Sequence, residues 1–152
     1  MAGTRTDQAQ NERNKANLSA FIAGQITELD KRTISMMSYV GEQAVKEARR
    51  RHSYTDRTGN LTSSMGYSIV DMNGNKHLGQ FVQTKPKATK GVPEGEKVAN
   101  ERTGSIRQKP NTYTLVVVAG MDYAPYVSAK YNVLQSSERV AKELFARFTK
   151  RK

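Results

Sequence analysis

The chain of 152 residues has no cysteine, no tryptophan, only two histidines and no long apolar run. Each shortage removes a class of function. Without cysteine there are no disulfides and no thiolate metal sites, and the chain fits a reducing compartment such as bacterial cytoplasm. No stretch approaches the ~18 consecutive apolar residues of a membrane-spanning helix. Met1 to Lys15 is polar, unlike a secretory leader. The expectation is a soluble chain that makes no membrane contact.

The two histidines, His52 and His77, are far apart, and neither belongs to a metal-ligand spacing. No metal and no other cofactor is expected. His52 lies at a helix end beside arginines and His77 in a hairpin, so both read as surface residues and not as the base of a nucleophilic site. Gly91-Val92-Pro93-Glu94-Gly95-Glu96-Lys97 lacks the hydroxyl residue that closes a phosphate-binding loop and reads as an ordinary loop. No enzymatic activity is expected.

What is abundant is positive charge: 25 Lys+Arg against 14 Asp+Glu, a formal net charge of +11. Such a chain attracts anionic partners, either DNA or acidic protein surfaces. The clusters Arg49-Arg50-Arg51 and Lys150-Arg151-Lys152 contain no stacking aromatics of the kind that grip single strands. Hydrophobic residues make up 36%, a lean supply for one core, so arms or loops that bury little are expected, with assembly into a multimer supplying further burial.

Along the chain, residues 1–16 show no apolar period and read as a flexible arm, leaving 17–152 as a single domain. From Asn17, apolar residues recur at Leu18, Phe21, Ile22, Ile26, Leu29, Ile34, Met37, Val40, Ala44, Val45 and Ala48. Spacings of three and four place them on one stripe of a long helix ending near Arg51, with Asn17 or Ser19 as its cap. Two readings of the arginine triplet stand: a solvated helix end that suits the macrodipole, or a partner-facing patch.

The segment from His52 to Met65 fits a turn and one short helical turn. Gly66 to Met72 and Lys76 to Gln83 read as two antiparallel strands joined at Asn73-Gly74-Asn75. Thr112 to Ala119 is the clearest strand, and Gln135 to Lys150 a closing amphipathic helix. Between them Thr84 to Pro110 holds three prolines, several glycines, and Lys85, Lys87, Lys90, Lys97, Arg102, Arg107 and Lys109 against three glutamates. It reads as a long basic loop, either a contact arm or a mobile segment. The fold class expected is α+β, with the first and last helices on one face of a small antiparallel sheet. The other face then needs a cover or a partner.

Two segments carry a resemblance: Tyr54-Thr55-Asp56-Arg57-Thr58-Gly59-Asn60-Leu61-Thr62-Ser63-Ser64, and Asp122-Tyr123-Ala124-Pro125-Tyr126-Val127 after the last strand. Their order and spacing resemble the tailed-phage neck family, head-tail connector or tail-completion proteins. In that family a long first helix leads to an Arg-Thr-Gly-X-Leu-X-X-Ser element, and a Tyr-Ala-X-X-Val element precedes the final helix. After Val127 this chain departs, with Ser128-Ala129-Lys130-Tyr131-Asn132 where many relatives carry an acidic residue, an aromatic and a Gly-Thr pair.

The resemblance implies a non-enzymatic structural protein of the virion, assembled in the bacterial host cytoplasm. Its partners would be copies of itself in a ring built on a template, and neighbouring neck, connector or tail proteins, with DNA contact through the basic loop. Asp56, Arg57, Gly59, Leu61, Ser64, Tyr123, Pro125 and Tyr126 would serve fold and interface. Tail-terminator subunits look similar in topology, and a basic nucleic-acid-binding protein is the alternative that charge alone supports.

Overall fold

The computed structural model describes residues 5–51, 53–131 and 133–150; the expectations for His52, for Arg151 and Lys152 and for the first four residues of the arm lie outside them. Among the described residues the order is α1 (Arg5–Arg50), α2 (Asn60–Ser63), β1 (Met65–Val70), β2 (Lys76–Gly79), α3 (Gly91–Ser105), β3 (Thr114–Ala119), α4 (Ala124–Tyr131) and α5 (Gln135–Lys150). The fold is α+β, with a long N-terminal helix, a C-terminal helix and a three-stranded antiparallel sheet. Contacts divide the chain into two units, residues 1–35 and 36–152.

In the first unit α1 runs as helix from Arg5, and every residue from Arg5 to Leu29 is exposed. The reading of residues 1–16 as an unstructured arm is therefore corrected from Arg5 onward, and Asn17 and Ser19 lie inside the helix instead of capping it. Apolar period was the wrong guide here. Gln, Glu, Arg, Lys and Ala favour helix by intrinsic propensity. One-turn contacts add local support: Gln10 Nε2 donates to Asn14 Oδ1 at 3.1 Å, and Arg32 meets Glu28 at 3.0 Å.

In the second unit the sheet order is β2-β1-β3. Period two sorts β1 into faces. Met65, Tyr67 and Ile69 stand opposite Ala119, Val117 and Leu115 of β3, and these six pack with Met37, Val45 and Ala48 of α1, Ala124 of α4 and Phe145 of α5. Gly41 lets α1 close onto the sheet, because a Cβ there would lie 2.6 Å from the Tyr67 ring. Tyr39 of α1 and Phe148 of α5 meet edge to face, with ring centroids 6.2 Å apart. The segment before the last helix forms a helix of its own, α4.

The opposite face, with Gly66, Ser68 and Val70 of β1 and Val118 of β3, is covered by α3. The reading of Thr84 to Pro110 as a long loop is corrected, since 15 of its residues form α3, and that helix is the cover which the second face was expected to need. Glycines suggested a loop because each costs about 1 kcal/mol in a helix interior. In place, Gly91, Gly95, Ala99 and Thr103 recur every four residues and are the buried face of α3. A Cβ on Gly95 would stand 2.5 Å from the Ser64 carbonyl oxygen, and one on Gly120 would stand 2.5 Å from Gly95 Cα. Close packing of backbone on backbone outweighs propensity. Pro93 sits in the first turn of α3, where its missing N–H leaves no helical bond unmade.

Candidate functional site

The first motif folds around the carboxylate of Asp56. Its Oδ1 accepts the Gly59 N–H at 3.0 Å, and its Oδ2 accepts the Thr62 N–H at 2.9 Å and the Thr62 hydroxyl at 2.7 Å. Asp56 thereby satisfies donors at the start of α2 that the one-turn helix leaves open. The chain enters α2 through Gly59 at φ 81, a left-handed conformation that favours glycine. Leu61 is 1% exposed and anchors the turn in the core.

Hydroxyls extend the net. Thr84 Oγ1 lies 2.9 Å from both Thr62 Oγ1 and Ser63 Oγ, and the Thr84 N–H donates to Ser63 Oγ at 2.8 Å. Lys85 Nζ donates to the Asp56 carbonyl at 2.6 Å. A cleft of about 420 Å³ lies over these groups, lined by Arg49, Tyr54, Asp56, Thr62 and Lys85 among others.

The first motif also holds the strand end that leads into the second. Ser64 Oγ donates to the Leu61 carbonyl at 2.8 Å and accepts the Gly120 N–H at 3.1 Å, which fixes the end of β3. Tyr123 lies near Asp56 and Thr58, and the Thr58 side chain pulls its pKa down. Burial pushes the Tyr54 hydroxyl well above its ordinary value, and the charges of Asp56 and Tyr123 push the same way. Tyr123 is raised by burial and by the Asp56 carboxylate, against the opposing pull of Thr58. Both phenols therefore stay protonated at neutral pH.

The residues singled out by the sequence separate into two sets. Asp56, Gly59, Leu61 and Ser64 hold the turn together, whereas Arg57, Tyr123, Pro125 and Tyr126 are exposed, Tyr126 at 81%. Pro125 lies in the first turn of α4. Of the basic residues expected on a loop, Lys97 and Arg102 ride on α3, Lys85, Lys87 and Lys90 precede it, and Arg107 and Lys109 follow it. All seven are exposed. Gln108 Nε2 ties the return segment down by donating to the Asp71 carbonyl at 2.8 Å and the Thr112 carbonyl at 2.6 Å.

Sequence reading missed two buried polar centres. The arginine triplet splits: Arg50 and Arg51 pair with Glu47 at 3.0 and 2.8 Å, while Arg49 turns inward. Its guanidinium donates to the carbonyls of Thr62 at 3.1 Å, Met65 at 2.9 Å and Gln80, and burial lowers its pKa. The second is Asp71, 3% exposed, whose Oδ1 accepts the N–H groups of Asn73 and Asn75, each at 2.9 Å. Its Oδ2 takes the Asn75 amide at 3.0 Å and lies 3.1 Å from His77 Nε2, so His77 is the partner of a buried carboxylate. An aspartate before Asn-Gly-Asn is the signal that marks this hairpin.

Among the described residues no group of three or more His, Asp or Glu is placed to hold a metal, and no helix is long and apolar enough to cross a membrane. Compared with protein-family models, curated proteins and solved structures, the chain matches none.

Proposed function

We propose that the chain is a structural protein of a tailed-phage virion, a ring-forming subunit at the head-tail junction that joins the tail to the head or completes its upper end. The observation that carries this reading is that the two motif segments lie side by side: the Ser64 hydroxyl holds Gly120 at the strand end just before the second motif, and Tyr123 of that motif lies near Asp56 and Thr58. Elements 56 residues apart at Ser64 and Gly120 form one unit whose buried members build a rigid turn. Its outward members are an arginine, a proline and two tyrosines, and tyrosine and arginine are the residue types that anchor protein interfaces. The second sheet face carries no argument for a ring, because α3 covers it.

Each copy would offer this patch to a different surface of its neighbour, the heterologous contact that closes a ring. The test is electron cryomicroscopy of the producing phage, with Arg57→Ala and Tyr126→Ala introduced in parallel. A ring of this chain at the junction, and heads that fail to join tails in the variants, support the reading. Absence of the chain from purified virions overturns it.

A second reading, a basic nucleic-acid-binding protein, draws on charge: from residue 36 onward the chain carries twenty Lys+Arg against ten Asp+Glu. DNA affinity that falls steeply with salt would favour it, since counterion release governs such binding.

A further inference from the structure

Five large apolar side chains of α1 stand uncovered in the first unit: Leu18 is 59% exposed, Phe21 64%, Ile22 49%, Ile26 51% and Leu29 65%. Leu18, Ile22, Ile26 and Leu29 follow one another at four, four and three residues. Eleven residues over three turns lies close to the natural helical period, so these side chains form a straight stripe, with Phe21 beside it. A helix in water gains most of its stability by packing such a face, and a contiguous apolar patch marks an interaction site.

Charge selects the occupant. Residues 1–35 carry five Lys+Arg and four Asp+Glu, a net +1, whereas the rest of the chain carries twenty against ten, a net +10. Beside the stripe, Glu28 is already paired with Arg32 at 3.0 Å. DNA or an acidic protein gains little from a surface so nearly neutral. Two copies of the chain repel each other through their +10 portions, but they meet here with almost no charge opposing the contact.

We propose that this stripe, Leu18 to Leu29, is a homodimer contact that packs on the same stripe of a second copy. Each of the five side chains exposes on the order of 100 Å², so a pair buries about 1,000 Å² in total, the lower end for a specific interface. An interface of that size belongs with weak, reversible contacts, and a Kd on the order of micromolar is the range to test. The contact is isologous and closes on itself, unlike the heterologous contacts of a ring, and it does not depend on the neck reading.

Sedimentation equilibrium of the full chain, from about 1 to about 100 μM to bracket that affinity, tests the proposal. The wild type passes from monomer to dimer across the range, and does so at high salt as well as low. Phe21→Glu combined with Ile22→Glu stays monomeric throughout, with the sheet domain intact by near-ultraviolet circular dichroism, while Tyr126→Ala dimerises like the wild type. A wild type that remains monomeric at the highest concentration overturns the proposal, as does a double variant that still dimerises. Binding of the stripe to another protein while the wild type alone stays monomeric also overturns it.

Discussion

Asp56 and Thr62 are joined twice, the Oδ2 atom of the aspartate accepting both the N–H and the hydroxyl of the threonine, at 2.9 and 2.7 Å. With the bond from Gly59 N–H to Oδ1, one carboxylate organises the whole turn before β1. Asp56→Ala should destabilise the domain by about 1–2 kcal/mol, the cost of losing a helix-start acceptor and leaving buried donors unmet. Urea unfolding measures it.

Gly59 and Gly74 have nearly the same backbone, φ 81 and φ 82, in different surroundings. A Cβ on Gly59 would stand 2.9 Å from the Lys85 side chain, and one on Gly74 would have nothing within 4 Å. Gly74→Ala should cost about 1 kcal/mol from conformation alone. Gly59→Ala should cost about 1 kcal/mol more, since crowding adds to strain. Equal losses in thermal or urea unfolding would mean that the Lys85 contact gives way freely.

Two glycines of α3 should respond with opposite sign. Gly95→Ala forces a methyl against the Ser64 carbonyl and the Phe81 ring and should destabilise by about 2–3 kcal/mol. Gly104 is exposed, with only Lys76 Nζ nearby at 3.7 Å, so Gly104→Ala should stabilise by up to about 1 kcal/mol through helix propensity. Thermal unfolding of the pair separates the packed face of α3 from its free face.

Asp71 predicts a pH dependence. Burial pushes its carboxyl up, but hydrogen bonds from His77, Asn75 and Asn73 outweigh burial and hold it below the ordinary 3.8. A carboxyl lowered by folding contributes stability above its unfolded value, and that stability is lost as pH falls through the lower folded value. Asp71→Asn should therefore destabilise at pH 7 by about 1–3 kcal/mol, the cost of breaking bonds to a buried charge. The gap between variant and wild type should narrow below about pH 4. A gap that holds constant down to pH 2 would place the effect in packing and not in ionisation.

Elements with strong local signals were legible in the sequence. The apolar run Leu115-Val116-Val117-Val118 lies in β3, which begins at Thr114 instead of the expected Thr112, and the closing helix spans the expected Gln135 to Lys150. Asn73-Gly74-Asn75 turns the hairpin as its composition indicates, with Gly74 at φ 82. The second strand is shorter than the expected Lys76 to Gln83: β2 stops at Gly79, and Gln80 takes a left-handed φ of 67 that no strand continues through.

What stayed hidden depends on contacts between segments distant in the chain. The glycines of α3 look like loop formers until Ser64, Phe81 and Gly120 are placed beside them. Arg49 reads like its two neighbours in the triplet, and only the carbonyls of Thr62, Met65 and Gln80 distinguish it. In the candidate site, the exposed and buried members of the two motifs could not be told apart from spacing alone, because the division follows from which side chains the folded turn packs into the core.

The seating of α3 also bears on how the domain can move. A segment whose glycines touch the backbone of Ser64 and Gly120 cannot swing out to reach a distant surface without unfolding the sheet it lines. Its Lys97 and Arg102 are carried on a helix seated against the sheet, so a partner that engages them must come to the domain, and a protease should cut elsewhere before it cuts between Gly91 and Ser105.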